Sequence, residues 1–312
     1  MSDPKGLSLA LVIPVYNSSA GLMALYQEIA DALFSSSYHW RVVLIDDCSA
    51  DNSWEVISRL AQDNENVTGI RLSRNLGQHR AIFVGLSEIE ADVYVTMDDD
   101  LQHNPKDILT LLSALTGTVD LVYGRFSDRQ HPLWKRLGSA FNDRTSAFLI
   151  KKPRGLYLSP FRAFRKNIRD SIISYRGESI YIDGLLLQAT RQIREAPVQH
   201  SPRRYGESEY GLRKSASLWL SMVLGFSLSP LRMASLLGVF FSFLGVLGAG
   251  YVVIASLGSD TPPGWASLLV TVTFLGGLQL LSLGIIGEYL GRVAVAVLSP
   301  HKHPIAERIN LE

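Results

Sequence analysis

Val93-Tyr-Val-Thr-Met-Asp-Asp-Asp-Leu-Gln-His103 is the stretch of sequence that decides the fold. An apolar, β-branched run that ends abruptly in three carboxylates is typical of a buried strand that delivers acids to its C-terminal end. In an open α/β sheet, ligands bind at that end of the strands. Asp98 and Asp100 are close enough in sequence to bind one divalent cation, and hard oxygen ligands suit Mg²⁺ or Mn²⁺. The pattern alone also fits a solvated acidic turn that caps a helix beginning near Asn104-Pro105.

Apolar runs alternate with amphipathic stretches on both sides of this segment, which predicts βαβ units and a parallel sheet with helices on both faces. The predicted strands are Leu9–Val15, Arg41–Ile45, Val67–Leu72, Val93–Met97 and Asp120–Tyr123. The predicted helices are approximately Gly21–Phe34, Asn52–Gln62, His79–Leu86 and Pro105–Leu115.

Polar clusters follow three of these strands, at Tyr16–Ser19, Asp46–Ser49 and Asp98–Gln102. They are expected to gather along one edge of the sheet, where a binding crevice forms. Asp46 and Asp47 can accept hydrogen bonds from ribose hydroxyls or a base, although helix capping is an alternative. The first strand is not followed by GxGxxG, and no Walker lysine is present, which disfavours a dinucleotide cofactor or a P-loop ATPase.

Charge and cysteine content exclude several classes of protein. The formal net charge is +1, so nothing indicates a nucleic-acid partner. The single cysteine, Cys48, excludes an internal disulfide framework and fits a reducing compartment. The segment Ser8–Val15 is short and lacks a basic lead-in, so it is interpreted as a strand and not a signal peptide.

Two long uncharged stretches, Met233–Ser259 and Thr261–Gly287, dominate the last third of the chain. Each exceeds the ~20 apolar residues that a helix needs to span a bilayer. Their outer flanks are basic and the turn between them has no Lys or Arg, so both ends are expected in the cytoplasm. A buried helical hairpin is the alternative. The segment 211–231 is predicted to lie in the membrane interface, or alternatively to be a core helix.

The resulting domain prediction has three parts. Residues 1–210 form a cytoplasmic α/β domain, residues 211–231 an interfacial amphipathic helix, and residues 232–312 two transmembrane helices, at about 233–257 and 266–288, with a short cytoplasmic tail. Leu133–Phe148 mixes aromatic and basic residues, which fits either a helix at the membrane surface or an amphipathic core helix.

Several motifs match one known family in order and spacing. They are Ile13-Pro-Val-Tyr-Asn17, Ile45-Asp-Asp47, Arg74-Asn-Leu-Gly-Gln-His79, Asp98-Asp-Asp-Leu-Gln102, Arg204-Tyr-Gly-Glu-Ser208 and Leu283-Gly-Ile-Ile-Gly-Glu-Tyr-Leu-Gly-Arg292. Together they resemble the family 2, GT-A-type glycosyltransferases. Within that family the chain looks most like the polyprenyl-phosphate glycosyltransferases, relatives of dolichol-phosphate mannose synthase and of bacterial undecaprenyl-phosphate sugar transferases.

The resemblance implies a GT-A, Rossmann-like parallel or mixed sheet and a set of site residues. The nucleotide sugar would contact Pro14, Tyr16, Asn17, Asp46, Asp47, Asp99, Gln102, Arg203 and Arg204. The metal, Mg²⁺ or Mn²⁺, would be held by Asp98, Asp100 and Gln102. The acceptor phosphate would contact Arg125, Arg129, Lys135 and Arg136, and the catalytic residues would be Asp98, Asp100 and Arg125.

The chain departs from the family pattern at a few positions. Ser18 and Cys48 stand where many relatives have Glu and Gly, and Glu209 stands where many have Lys. Ser159 occupies the place of an Asp that is a proposed catalytic base in many relatives. A phosphate monoester acceptor, whose second pKa is ~6, is mostly a dianion at neutral pH and needs no proton removed.

The expected function is therefore an inverting, metal-dependent transfer of a hexosyl or pentosyl group from a nucleotide diphosphate sugar to undecaprenyl or another polyprenyl phosphate, for a cell-envelope glycan or lipid. The expected location is the bacterial inner membrane, and the resemblance implies a homotetramer. The alternatives are a non-catalytic membrane scaffold or lipid-binding module of the same fold, or a processive polysaccharide synthase. The synthase is disfavoured because Gln-x-x-Arg-Trp is absent.

Overall fold

The computed structural model describes residues 6–126, 153, 155–177, 180–199, 264–298 and 304–311, together with Leu236, Phe240, Phe243 and Leu247. The chain divides into two compact units. The first unit comprises residues 1–175, 180–211 and 301–312, and the second comprises residues 176–179 and 212–300. The first unit is thus formed by segments that lie on both sides of the second unit in sequence.

The first unit is built on an eight-stranded sheet in the order β7-β5-β6-β4-β1-β2-β3-β8. Its strands are β1 Ser8–Val15, β2 His39–Asp46, β3 Val67–Leu72, β4 Val93–Thr96, β5 Leu121–Phe126, β6 Arg162–Arg165, β7 Ile193–Val198 and β8 Ile305–Ile309. Its helices are α1 Ser19–Leu33, α2 Ser53–Asp63, α3 Gln78–Glu88, α4 Asp107–Ala114, α5 Lys166–Ile173 and α6 Ile182–Ala189.

The structure confirms the predicted mixed α/β sheet. Each of the five predicted strands and four predicted helices is present, with ends that differ by at most three residues. Strands β1 to β4 pair in parallel, whereas β6 runs antiparallel to both β4 and β5. The sheet is therefore mixed and not wholly parallel.

Strand β8 was not predicted. The sequence places these residues in a tail after the apolar helices, but in the structure they pair antiparallel with β3 and form an edge of the sheet. Ile305–Ile309 is short and has three consecutive exposed residues between two half-buried isoleucines, so it lacks the alternation that makes a strand recognisable in sequence.

The core lies on both faces of the sheet. The buried side chains of Leu9, Leu11 and Ile13 belong to one apolar cluster with those of α1, α2 and α4. On the opposite face α3 approaches the sheet closely at Gly85, where an added Cβ would lie 2.8 Å from Val12 Cγ1. The N–H of Gly77, directly before α3, donates to Asp47, directly after β2, so the start of α3 lies beside the C-terminal end of β2.

The second unit contributes one described helix, α7, which spans Trp265–Leu298. Within the described residues, its segment Phe274–Gly291 is the one stretch long and apolar enough to cross a membrane, and none of that segment is buried. The predicted interfacial helix at 211–231 and the predicted first span at 233–257 lie outside the described residues, apart from four exposed helical positions between Leu236 and Leu247.

The glycines of α7 are not in close contact with another element among the described residues. A Cβ added at Gly276, Gly277, Gly284 or Gly287 would meet nothing within 4 Å. The glycine content of this helix predicts close packing against another helix, within the chain or between chains, and this stays a prediction.

Candidate active site

Four loops follow the C-terminal ends of β1 to β4, and each contains a residue with positive φ. These residues are Asn17 (φ 52°), Cys48 (φ 60°), Gly77 (φ 85°) and Leu101 (φ 58°). A branched side chain such as that of Leu101 rarely adopts this conformation, which persists only where surrounding contacts impose it and is concentrated at functional sites. The positive φ of Cys48 also explains why glycine suits this position, because glycine adopts positive φ without strain.

Hydrogen bonds fasten the first two loops together. The backbone N–H of Asn17 donates to Ser49 Oγ at 3.0 Å, and the N–H of Ala50 donates to Asn17 Oδ1 at 2.8 Å. Pro14 is buried, whereas Tyr16 is 39% exposed. The two loops thus form one wall at this edge of the sheet, on which the Tyr16 side chain remains accessible to a ligand.

Asp47 holds the loop that follows β3. Its Oδ1 accepts from the N–H of Leu76 at 2.7 Å, and its Oδ2 accepts from the N–H of Gly77 at 2.8 Å. Burial raises the pKa of Asp47, and these two hydrogen bonds partly offset the effect. Because both oxygens are engaged, Asp47 organises the site by fixing this loop, and its predicted contact with the nucleotide stays a prediction.

Asp46 is fully buried at the end of β2. Its Oδ1 accepts from the N–H of Ser49 at 3.1 Å. Its Oδ2 has no hydrogen-bond partner in the described part of the chain, and Arg71 Nε lies 3.6 Å from it. A buried carboxylate oxygen without a hydrogen-bond donor is unfavourable, so this atom is a good acceptor for a ligand.

The acidic triplet after β4 has three different environments. Asp99 Oδ2 accepts from the N–H of Tyr16 at 3.4 Å, and the carboxylate also bonds Ser18, so it ties the β4 loop to the β1 loop. Burial raises the pKa of Asp99 to about 6. Asp99 is therefore placed within the wall formed by the β1 loop.

Asp98 and Asp100 are supported by neighbouring polar groups. Gln78 Nε2 donates to Asp98 Oδ1, and the N–H of Gln102 donates to Asp100 Oδ1 at 3.1 Å. The N–H of Asp98 donates to His103 Nδ1 at 3.3 Å. The turn is thereby fixed from both sides, with Asp98 half-buried and Asp100 buried.

The donor set at this turn fits a divalent cation that is shared with a substrate. The described residues contain no group of three or more His, Cys, Asp or Glu side chains placed to hold a metal ion. Mg²⁺ commonly uses only one or two protein carboxylates and takes its remaining ligands from water and substrate phosphates. Asp98 and Asp100, with Gln102 beside them, match that pattern.

Arg125 lies at the end of β5 with a side chain that is 60% exposed. Its Nη1 donates to Glu195 Oε2 at 2.8 Å, and the N–H of Tyr157 donates to the other oxygen of Glu195. The predicted anion-binding side chain is thus paired with a carboxylate, and its phosphate contact stays a prediction. The other predicted basic residues lie outside the described residues: Arg129, Lys135, Arg136, Arg203 and Arg204.

A buried ionic network lies behind the acidic turn. Arg162 is 1% exposed, and its Nη1 donates to Asp183 Oδ1, which also accepts from the Tyr123 hydroxyl at 3.0 Å. Arg162 Nε donates to Thr96 Oγ1 at 3.0 Å, two residues before Asp98. The sequence did not reveal this network; its only signal was an arginine inside the apolar run Phe161–Phe164.

Ser159 and Asp183 are both engaged within the protein. Ser159 is buried, and its Oγ accepts from the N–H of Phe161 at 3.2 Å. Asp183 is bound to Arg162 as described above. Both side chains therefore have structural partners within the protein.

His79 lies near this network. Its ring contacts that of Tyr181 edge to face at 4.9 Å, and its Nδ1 is buried without a hydrogen-bond partner in the described part of the chain. Burial lowers the pKa of His79 from 6.5 to about 4; the charge of Asp183 opposes this shift, and that of Arg162 reinforces it. The imidazole is therefore neutral at physiological pH.

The contribution of His79 to the thermal stability of the first unit is expected to fall between pH 6.5 and pH 4, whereas the raised pKa of Asp99 acts in the opposite direction. For His79, a folded-state pKa below the unfolded value means that the unfolded chain binds the proton more readily in this window, so this contribution is complete above pH 6.5 and decreases as the pH falls. The loss at pH 5 is about 2 kcal/mol. Circular dichroism melts of the full chain in detergent at pH 7.5 and 5 measure it.

The matched control is His79→Phe, which keeps an aromatic ring beside Tyr181 but does not titrate. Its melting temperature is expected to fall less than that of the wild type between the two pH values. Equal decreases in both proteins would show that His79 contributes nothing to the pH dependence.

The fold is similar to that of solved glycosyltransferase structures. Glucosyl-3-phosphoglycerate synthase from Mycobacterium tuberculosis, in complex with Mn²⁺, UDP and glucosyl-3-phosphoglycerate, matches with a TM-score of 0.52 and 17% identity over 70% of this chain and 78% of that chain. The same enzyme with Mn²⁺, UDP-glucose and phosphoglyceric acid matches with a TM-score of 0.52 and 17% identity over 72% of this chain and 79% of that one.

A third structure of that enzyme, with Mg²⁺ and UDP, has a TM-score of 0.52 and 16% identity over 70% of this chain and 77% of that chain. At such identities the likeness shows the fold. The sequence match is more specific, because a model of the family described as Glycosyl transferase family 2 covers residues 10–173, more than half of the chain. The protein with the acidic turn after β4 thus belongs to glycosyltransferase family 2.

Proposed function

We propose that this glycosyltransferase moves one sugar from a nucleotide diphosphate sugar to undecaprenyl phosphate or a similar polyprenyl phosphate. One observation carries the proposal: the same chain holds a family 2 sheet with paired carboxylates at the end of β4, and a helix, α7, whose apolar side chains are exposed. A sugar acceptor that resides in a membrane accounts for both features.

The donor nucleotide is placed at the loops after β1 and β2. The buried Oδ2 of Asp46 supports this placement because it is ready to accept a hydrogen bond, and the exposed ring of Tyr16 can stack on a base. Asn17 and Asp99 maintain the wall between these loops and the β4 turn. Arg203 and Arg204 are proposed to close over the diphosphate, by the family resemblance.

Asp98 and Asp100, with Gln102, are proposed to hold Mg²⁺ or Mn²⁺. Solved structures of similar fold that contain Mn²⁺ or Mg²⁺ together with UDP support a divalent metal as the cofactor. When bound, the ion neutralises charge on the diphosphate leaving group. The chain itself contributes the orientation: Gln78 and His103 hold the carboxylate and the backbone of Asp98.

The reaction is proposed to be a single displacement that inverts the anomeric carbon. An oxygen of the acceptor phosphate forms a bond to C1 as the bond from C1 to the donor diphosphate breaks. The acceptor is a dianion at neutral pH, so the protein needs only to position two anions and offset their repulsion. The engaged states of Ser159 and Asp183 support this mechanism because it uses no protein base.

The membrane part is proposed to be a hairpin of two helices in the bacterial inner membrane, with the sheet domain and both chain ends in the cytoplasm. The exposed apolar side chains of α7 support it. The order of the strands also supports a hairpin. Strands β7 and β8 belong to one sheet, so the segment between them begins and ends on the same side of a membrane. If this segment crosses the membrane, it therefore crosses an even number of times. The uncharged stretch Met233–Ser259 supplies the second crossing.

The basic side chains Arg125, Arg129, Lys135 and Arg136 are proposed to receive the acceptor phosphate where the sheet domain meets the membrane surface. Arg125 would exchange its contact with Glu195 for the phosphate. A homotetramer is proposed by the family resemblance.

The decisive experiment incubates the purified full chain with undecaprenyl phosphate, Mg²⁺ or Mn²⁺ and a panel of UDP-, GDP-, dTDP- and CDP-sugars, with detection of lipid-linked sugar by mass spectrometry. A product from one donor supports the proposal. A parallel incubation replaces the lipid with 3-phosphoglycerate; transfer to this acceptor and not to the lipid would overturn the lipid acceptor. No product from any donor would favour the scaffold alternative. A polymer of sugars would favour the processive synthase.

A further inference from the structure

We propose that Glu307, on the C-terminal strand β8, is a positioning residue for the donor site. It holds the guanidinium of Arg71 so that the buried Oδ2 of Asp46 remains available to the donor nucleotide. This inference rests on the proposed donor-binding role of Asp46.

One oxygen of Glu307 pairs with Arg71, and its other oxygen is fixed by Trp54. Its Oε1 accepts from Arg71 Nη1 at 3.1 Å, and its Oε2 accepts from Trp54 Nε1 at 3.2 Å. The Arg71 guanidinium carbon also lies 5.7 Å from the centre of the Trp54 ring, within the range of a cation–π contact. The indole thus contacts both members of the ion pair, and the arginine has a defined position.

In that position Arg71 lies near Asp46 but does not form a hydrogen bond with it. The Nε of Arg71 lies 3.6 Å from Asp46 Oδ2, which is close enough for electrostatic attraction but too far for a hydrogen bond. The other oxygen of Asp46 is already bonded to the N–H of Ser49. Arg71 therefore offsets the negative charge of buried Asp46 but leaves Oδ2 of that residue free to accept a hydrogen bond from a ligand hydroxyl or N–H.

Glu307 and Asp46 both attract the guanidinium of Arg71, and loss of the Glu307 charge leaves Asp46 as the stronger attraction. The guanidinium can then move toward the buried carboxylate and pair with it directly, because charge-assisted hydrogen bonds of arginine to carboxylates are strong. A donor nucleotide would have to displace this contact. The strand that follows the apolar segment thereby controls how well the nucleotide site at the opposite end of the sequence accepts its ligand.

The test measures binding of UDP with Mn²⁺ to the full chain in detergent by isothermal titration calorimetry; if UDP does not bind the wild type, GDP, CDP and dTDP are used in turn. Glu307→Gln is expected to weaken binding by about tenfold, the equivalent of one charged hydrogen bond. In the transfer assay the KM for the donor is expected to rise while kcat is retained.

The control variant lies on the same strand. Arg308 Nε bonds Glu88 Oε2 at 3.0 Å, on the face of the sheet that carries α3, so Arg308→Gln removes a comparable ion pair of β8 without touching Arg71. Nucleotide binding is expected to be unchanged in Arg308→Gln. If both variants weaken binding equally, Glu307 serves only to dock β8 and the inference is overturned.

A double-mutant cycle tests whether Glu307 acts through Arg71. In an Arg71→Gln background, Glu307→Gln is expected to have no further effect on the dissociation constant. If Glu307→Gln weakened nucleotide binding in that background as much as it does in the wild type, Glu307 would not act through Arg71.

Asp46→Asn separates this inference from the proposed function. If Asp46→Asn and Glu307→Gln both leave nucleotide binding unchanged, or if no nucleoside diphosphate binds the wild type, the donor site itself is misplaced and the inference falls with it. If Asp46→Asn weakens binding and Glu307→Gln does not, the donor site stands and the role of Glu307 is wrong.

Discussion

Sugar transfer is expected to fall by at least about a hundredfold when Asp98 or Asp100 is replaced by asparagine, because each substitution removes one negative charge at the point where a cation and the donor diphosphate meet. Asparagine preserves the size of the side chain and its ability to accept a hydrogen bond, so the contacts with Gln78 and with the N–H of Gln102 can persist. The measurement is the initial rate of lipid-linked product formation at saturating Mg²⁺ or Mn²⁺.

Asp92→Asn is the matched control for these variants. Asp92 lies directly before β4, at the opposite end of the strand from the acidic turn, where its carboxylate accepts from the N–H of Ser8 at 2.8 Å and from its hydroxyl at 2.7 Å. Its removal is expected to leave the rate unchanged. Calorimetric titration of UDP with and without Mn²⁺ adds a second measurement, because Asp98→Asn should abolish the enhancement by the metal. Retention of wild-type activity in both acidic-turn variants would contradict a metal site there.

The second large effect is expected on stability. Arg162→Met keeps most of the volume of the arginine but leaves the buried carboxylate of Asp183 without its partner, and such a loss costs about 3–5 kcal/mol. For a domain of this size, the melting temperature of the full chain in detergent is expected to fall by about 10 °C.

Two further variants identify the cause of that loss. Arg162→Met combined with Asp183→Asn removes the buried charge while an acceptor for the Tyr123 hydroxyl remains, so it should recover much of the stability. Lys166→Met breaks the exposed pair of Lys166 with Glu90 and is expected to cost less than about 1 kcal/mol. A double variant that is as unstable as the single one would mean that packing, and not the unpaired charge, determines the effect.

The parallel strands and their polar ends were predictable because each is encoded locally. An apolar run such as Val93–Thr96 can be recognised without knowledge of its neighbours, and the C-terminal ends of parallel strands must lie together. For the same reason the acidic turn and the loops of Tyr16 and Asp46 were expected at one edge of the sheet. In the structure Asp99 joins the acidic turn to the Tyr16 loop, and Asn17 joins that loop to the loop of Asp46.

The contacts made by those residues were not predictable because their partners are distant in sequence. Asp47 binds the backbone of residues 76 and 77, Asp183 binds Arg162, and Arg71 binds Glu307. A carboxylate that supports a loop and one that binds a ligand have the same local sequence pattern. Only the fold distinguishes them, since it determines which donors each carboxylate reaches.

Strand β8 also has a consequence for the order in which the protein forms. Leu72 pairs with Ile305, so the β3 edge, which is synthesised early, remains uncovered until more than 230 further residues have been made, residues 73–305. Domains generally fold as the N-terminal part emerges, and exposed strand edges invite pairing with other chains. Completion of the catalytic sheet therefore waits for the apolar segment to be made, and a nascent chain that stops short of β8 exposes an open β3 edge.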